Sequence, residues 1–90
     1  MERTKEGVVT TTVLARCQKE ILGLPTEYLL CIENGDDCCR YRIQVARQGE
    51  KCSCDFGDDI INTVKIFEAI VQGEIFPYSL AEIAEDFAKA

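Results

Sequence analysis

Histidine and tryptophan are absent from the 90 residues, and there are only two prolines and one methionine. The lack of histidine removes the usual general base for a serine or cysteine nucleophile, and the nitrogen ligand of a mixed zinc site. No glycine-rich phosphate loop is present, and the acid pairs Asp36-Asp37 and Asp58-Asp59 do not have the spacing of a calcium loop. We therefore expect no enzymatic activity, no cofactor and no metal.

Long apolar segments and clusters of positive charge are also missing. No run approaches the ~18 residues of a membrane span, and residues 1–6 lead into no signal-peptide core. The net charge is −6, because residues 58–90 hold seven acidic side chains and two basic ones. Nucleic acids and anionic membranes both favour clustered lysine and arginine, so we expect neither as a partner. The sequence predicts a cytoplasmic protein of one domain, residues 1–90, with a disordered tail over residues 1–6.

The chain does contain a long stretch of alternating apolar and polar residues, from Glu27 to Phe56. It divides into three runs with the period of two that a half-buried strand requires, namely residues 28–32, 39–45 and 51–56. Two turn sequences, Asn34-Gly35-Asp36-Asp37 and Gln48-Gly49, separate the runs. These features predict a three-stranded antiparallel sheet.

Turns of four and two residues would fix the register of these strands. The second turn predicts the pairs Val45–Cys52, Ile43–Cys54 and Tyr41–Phe56. The first turn predicts the pairs Ile32–Cys39, Leu30–Tyr41 and Tyr28–Ile43. Both sets collect apolar side chains on one face, which a slip of one residue would destroy.

The segment before this sheet is rich in β-branched residues. Residues 8–16 predict a further strand, whose pairing partner the sequence does not assign. Gly23 and Pro25 indicate a loop from Gln18 to Thr26, although residues 20–22 are also compatible with an extension of the strand.

After Gly57 the apolar period changes to 3.6, which predicts two helices. The first runs from Asp58 to Gln72, with Asp58 as its N-cap and Gly73 as a left-handed C-terminal cap. The second runs from Ser79 to Ala88, since Ser79 and Glu82 form a capping box, and it has Phe87 on its apolar stripe. The predicted fold class is α+β, an antiparallel sheet of about four strands with two C-terminal helices packed on one face.

The C-terminal part of the chain resembles a known family. The residues concerned are Tyr41-Arg42-Ile43, the passage into Asp58, and the segment Pro77 to Phe87. They resemble small bacterial proteins of unknown function, in which strands precede a helix and the chain ends in Pro-x-x-Leu-x-x-Ile/Val-x-Glu-Asp-Phe. The resemblance covers about half of the chain; it implies strands followed by helices, and it implies no activity.

Six cysteines are the compositional peculiarity: Cys17, Cys31, Cys38, Cys39, Cys52 and Cys54. Disulfides would require an oxidising compartment, and the spacings lack the two-to-four-residue spacer typical of zinc sites. We therefore expect most of these thiols to pack as small hydrophobic side chains. The alternative is a thiol-based metal or redox site at Cys31, Cys38 and Cys39, which lie near one predicted turn.

The opposite face of the predicted sheet is mostly polar and carries a small apolar exception, Leu29 and Cys31, near Arg40 and Arg42. Together with the open edges of a small sheet, this face suggests a non-catalytic protein-interaction or regulatory module. The expected partner is an unknown protein or a second copy in a homodimer.

Overall fold

The structure, a computed structural model, describes residues 10–35 and 39–89, with side chains up to residue 86. Its strands are β1 (Thr10–Ile21), β2 (Leu24–Asn34), β3 (Cys39–Arg47) and β4 (Glu50–Asp55), and its helices are α1 (Ile60–Gln72) and α2 (Pro77–Lys89). The strands form one antiparallel sheet in chain order. Both helices pack against it, α1 over β2 and β3, and α2 over β3 and β4. The predicted α+β architecture is confirmed.

Two-residue turns of the same kind join β1 to β2 and β3 to β4. Gln48 and Gly49 have φ angles of 51° and 82°, and Leu22 and Gly23 have 53° and 82°. Positive φ at both central residues matches the right-handed twist of the flanking strands. The loop predicted for residues 18–26 is therefore wrong. Gly23 is a turn residue, and Pro25 is tolerated because it lies beside the turn, near the end of the ladder.

The predicted register between β2 and β3 is wrong by two residues. Ile43 lies opposite Leu30, where Tyr28 was predicted, and Tyr28 lies opposite Val45. The connection does have four residues, 35–38, but it begins one residue later than predicted. A shift of two keeps every side chain on its face, so the alternating pattern could not detect it. The predicted turn acids, Asp36 and Asp37, lie outside the described residues.

The predicted register between β3 and β4 is confirmed by the pairs Val45–Cys52 and Ile43–Cys54. Beyond them, the N–H of Phe56 donates to the carbonyl of Tyr41 (2.8 Å), and the N–H of Tyr41 donates to the carbonyl of Gly57 (2.7 Å). The ladder thus steps by one residue at its end. Gly57 has φ +90° there, a conformation that few other residues adopt.

The N-cap of helix α1 is Asp59, one residue later than the predicted Asp58. The Asp59 carboxylate accepts from the N–H groups of Ile61 (3.1 Å) and Asn62 (3.2 Å). The predicted left-handed cap at Gly73 is also wrong, since Gly73 has φ −80° and the left-handed residue is Glu74 at φ 54°.

Glycine at position 73 has another reason, a close approach of backbone. A Cβ at this position would lie 3.1 Å from the carbonyl oxygen of Ala69, one turn earlier in α1. The glycine therefore serves close packing at the end of the helix.

Helix α2 begins two residues earlier than predicted. Pro77 is its first residue, a position where the missing N–H and the fixed φ of proline are both favourable. The N–H of Ser79 donates to the carbonyl of Phe76 (3.0 Å), so Ser79 is inside the first turn and is not the N-cap. The predicted capping box is therefore wrong. The side chain of Phe87 lies outside the described side chains.

The core lies between the sheet and the helices and consists mainly of fully buried apolar side chains. Its members include Tyr28, Leu30, Ile43, Val45, Phe56, Phe67, Ile70 and Leu80. Cys52 and Cys54 are half-buried against this cluster, as predicted. Cys39 is exposed and pairs with Asn34, so its predicted packing beside Ile32 is wrong; the two-residue shift in register moves it to the end of the strand.

Strand β1 is the strand that the helices cover least, because α1 and α2 lie over the other three. One side chain ties it to a helix end. Lys19 donates to the carbonyl of Val71 at the C-terminal turn of α1 (3.1 Å) and approaches the carboxylate of Glu74 (3.6 Å). A lysine suits the negative end of the helix dipole. This arrangement fixes the inner face of β1 and leaves its outer edge open.

Candidate interaction surface

The outer edge of β1 is the longer of the two edges of the described sheet, since β1 has 12 residues and β4 has six. The sheet order places β1 at one side, and no described strand pairs with its free edge. Its 12 residues would extend for roughly 40 Å at 3.3 Å per residue. An open edge presents a row of unpaired backbone N–H and C=O groups, which can pair with a strand of another chain.

The first half of this edge has almost none of the features that normally prevent strand pairing. Residues 10–15 contain no charge and no proline, and three threonines and a valine among them favour strands. Val13 and Leu14 are 47% and 48% exposed. Exposed apolar residues on an unprotected strand edge are typical of a site that binds another chain.

A β-bulge interrupts the edge at Leu14. Val13 pairs with Cys31 and Ala15 pairs with Leu30, so Leu14 is the extra residue without a partner on β2. Bulges bend a strand and increase its twist, which makes pairing across them irregular. The regular part of the edge is therefore the seven residues from Ala15 to Ile21.

The polar face of the sheet, which faces away from the helices, carries all four residues predicted as an interaction surface. Leu29 is half-buried, and Cys31, which pairs with Val13 on β1 and with Arg42 on β3, is only 8% exposed. Burial, and next the negative charge of Glu33, raise the pKa of the Cys31 thiol, while Arg42 opposes the shift. Cys31 is thus a packed neutral thiol that leaves little apolar surface.

The two arginines of this face are held in diagonal ion pairs. Arg40 Nε lies 2.6 Å from the carboxylate of Asp55, and Arg42 Nε lies 3.1 Å from that of Glu33. Arg42 also donates to the hydroxyl of Ser53 (3.2 Å). Arg42 and Asp55 are opposite in register, but the Asp55 carboxylate takes its short hydrogen bond from Arg40.

Asp55 connects this charged face to the start of the helical region. Besides the bond from Arg40, its carboxylate accepts from the N–H of Gly57 (2.7 Å). The hydrogen bond from Arg40 is the main cause that lowers the pKa of Asp55, and the Gly57 N–H and the charges of Arg40 and Arg42 act in the same direction. Two polar contacts therefore hold this carboxylate ionised where the sheet ends.

The residues of the alternative thiol site are not gathered into one cluster. Cys31 pairs with Arg42 and Cys39 pairs with Asn34, which puts the two thiols on opposite faces of the sheet. The third residue, Cys38, lies outside the described residues. In the described part of the chain, no group of three or more cysteine or acidic side chains is arranged to hold a metal ion.

A different pair of thiols lies on one face of β4. Cys52 and Cys54 are on the same face of the strand, two residues apart, opposite Val45 and Ile43. Burial, and next the neighbouring Cys52, raise the pKa of Cys54. All five described cysteines are free thiols.

Sequence reasoning missed the edge residues from Ala15 to Leu22, because the partner of the first strand was unassigned. A signal was present, because two residues, Leu22 and Gly23, separate two alternating runs, and the second of them is glycine, as in a two-residue hairpin turn. It was obscured by Leu22, since the first position of such a turn usually holds asparagine, aspartate or glycine.

Comparison of the chain with protein-family models, with curated proteins and with solved structures finds no match. The resemblance of the segment Pro77 to Phe87 to a bacterial family stays a prediction. Within residues 10–35 and 39–89, no helix has the length and apolar character needed to cross a membrane.

Proposed function

We propose that this protein is a non-catalytic interaction module that binds another polypeptide by strand addition at the free edge of β1. The observation that carries the proposal is the open 12-residue edge, uncharged over residues 10–15, with Val13 and Leu14 about half exposed. In strand addition, backbone hydrogen bonds supply affinity and alternate side chains supply specificity.

The rest of the described surface supports β1 as the binding edge. The other edge strand, β4, has six residues, three of them charged, and α2 packs along it. Charges on an edge and a covering helix are two ways of preventing unwanted strand pairing. The side chains of the polar face are held in place, since Arg40 and Arg42 are already paired with acids on the neighbouring strands.

The proposal includes a cytoplasmic location, where free thiols such as those of the five described cysteines stay reduced. It assigns no enzymatic activity, cofactor, nucleic acid or membrane to the protein. The net charge of −6 and the lack of histidine support this assignment.

A capture experiment tests the proposal with two variants that add the same charge to different surfaces. Leu14→Lys places a lysine on the bulged, unpaired edge residue, whereas Asn62→Lys places one on the exposed side of α1. We expect the tagged wild type and Asn62→Lys to retain the same partner, from cell extract or as an untagged copy, and Leu14→Lys to lose it. Equal retention by both variants, or no retained partner, would contradict strand addition at β1.

A thiol-based metal or redox function is the second candidate, and the observation that favours it is the placement of Cys52 and Cys54 on the same face of β4. Elemental analysis of the purified, reduced protein separates the two. We expect no stoichiometric zinc and an unchanged fold in chelator; one metal ion per chain, or melting on chelation, would favour the thiol function.

A further inference from the structure

We infer that the partner of β1 is β1 of a second copy, paired antiparallel about a two-fold axis through Gln18, so that two four-stranded sheets join into one of eight strands. This inference rests on the proposed function and adds to it the identity of the partner and the register. It follows from the bulge, the charges and the leucines of this edge.

Symmetry restricts where the axis can pass. In an antiparallel two-fold pair, residues opposite each other must point to the same face, so the axis passes through a residue and not between two. The regular stretch runs from Ala15 to Ile21, between the bulge and the turn. Its middle residue is Gln18. With the axis at Gln18 all seven residues of the stretch pair with the second copy, from Ala15 opposite Ile21 at one end to Ile21 opposite Ala15 at the other.

The charges of the edge select the same axis independently. An axis at Gln18 places Arg16 opposite Glu20 of the second copy, twice by symmetry. An axis at Arg16, Lys19 or Glu20 would place that residue opposite the same residue of the second copy, so that two like charges would face each other. An axis at Cys17 would bring no charged residues opposite each other. Opposite charges facing across antiparallel strands stabilise the pair, and like charges destabilise it.

Arg16 is available for this contact. Its side chain is 61% exposed, and its one described ion pair is with Glu27, at 3.3 Å. Gln18 also donates to Glu27 (3.3 Å), so both side chains lie on the polar face of the sheet. On the helix side of the axis, Cys17 would face Lys19 of the second copy, and Lys19 is already held by Val71 and Glu74.

Leu22 provides a third argument. It is 84% exposed and has φ 53°, a conformation that side chains other than glycine, asparagine and aspartate rarely adopt. Within one chain, leucine at this turn position is thus unfavourable for two reasons: its apolar side chain is exposed, and its backbone has a positive φ. With the axis at Gln18, Leu22 lies beside Leu14 of the second copy, itself 48% exposed, and the two pairs of leucines close both ends of the interface.

Sedimentation equilibrium at low salt tests the register with a charge-swap cycle. Arg16→Glu and Glu20→Arg each create two like-charge pairs, so we expect each to weaken dimerisation by about tenfold or more. The double variant restores opposite charges at both pairs and should return to within about threefold of the wild type. Circular dichroism of each variant checks that the fold is intact.

Leu22→Asn is a second test, independent of charge. Asparagine suits the turn, so the monomer should have a higher melting temperature. The dimer should have a higher dissociation constant, because the contact of Leu22 with Leu14 of the second copy is lost. A variant that stabilises the fold and weakens the dimer is hard to explain by damage to the protein. An unchanged dimer in Leu22→Asn, or single charge variants that the double variant does not rescue, would overturn this register.

The result also separates this inference from the proposed function. A chain that stays monomeric at about 100 µM, but captures a different polypeptide through β1, would overturn the homodimer and support strand addition. A dimer broken by Leu29→Asp and insensitive to the charge swap would overturn pairing at the edge and place the interface on the polar face.

Discussion

Tyr28 donates a hydrogen bond of 3.1 Å from its hydroxyl to the backbone carbonyl of Ile75, which ties the middle of the sheet to the segment between the two helices. The tyrosine is completely buried. Burial is the main cause that raises the pKa of Tyr28, followed by the charge of Glu74. The hydroxyl therefore stays protonated and donates, and it orients the connection that brings α2 back onto β4.

Tyr28→Phe is expected to lower the free energy of unfolding by about 1–2 kcal/mol, because it leaves the Ile75 carbonyl without its partner. Tyr78→Phe is the control, since Tyr78 is 72% exposed and should change stability by less than about 0.5 kcal/mol. Urea denaturation measures both. Similar effects from the two substitutions would contradict the role given to the buried hydroxyl.

Asp59→Ala is expected to cost about 1 kcal/mol, because two N–H groups of the first turn of α1 lose their acceptor. Asp58→Ala removes the same charge one residue earlier and should cost less than about 0.5 kcal/mol. Thermal denaturation of the two variants decides between the neighbouring aspartates. The opposite order would restore Asp58 as the cap.

These two aspartates illustrate what the sequence could and could not specify. A helix after Gly57 was predictable from the apolar period, but either Asp58 or Asp59 is a good N-cap by residue type. Likewise, the two-residue turn at Gln48-Gly49 leaves no freedom in how β3 meets β4, and that register was predicted correctly. The four-residue connection before β3 allows a shift of two, which the alternating pattern does not resolve.

The candidate site was harder to predict than the fold, because it depends on which strand lies at the edge. Leu29 and Cys31 were identifiable as apolar residues of the polar face, but their burial depends on side chains from neighbouring strands. The edge role of β1 follows from its pairing with β2 through the Leu22-Gly23 turn. Gly23 was a signal of that turn, but Leu22 obscured it, so the pairing was not predicted.

The carboxylate of Asp55 should make part of the stability dependent on acid pH. Its folded-state pKa lies below the ordinary value of 3.8, so its stabilising contribution is complete above that value and is lost as the pH falls through the lowered pKa. As the pH is lowered from 5, the free energy of unfolding of Asp55→Asn should therefore decrease less than that of the wild type. Urea midpoints measured across this range test it; parallel pH profiles would mean that Arg40 and Gly57 do not hold the carboxylate.

Arg40→Gln is the matched variant for the same contact. It removes the main cause of the lowered pKa and keeps the Asp55 bond to the Gly57 N–H. We expect a pH profile between those of the wild type and Asp55→Asn. A pH profile equal to that of the wild type would show that the 2.6 Å ion pair contributes nothing to stability in solution, which is the case for many exposed ion pairs.

The thiols should react with iodoacetamide at pH 8 in the order of their exposure. Cys39 is exposed, whereas Cys31 is buried and Cys54 is half-buried, and burial raises the pKa of both. Because the thiolate is the reactive form, Cys39 should be alkylated about tenfold faster or more than Cys31 or Cys54. Mass spectrometry of peptides from a Cys38→Ser background resolves the sites, and the rates should converge in denaturant. Rapid alkylation of Cys54 in the native protein would contradict its packing against the core between the sheet and the helices.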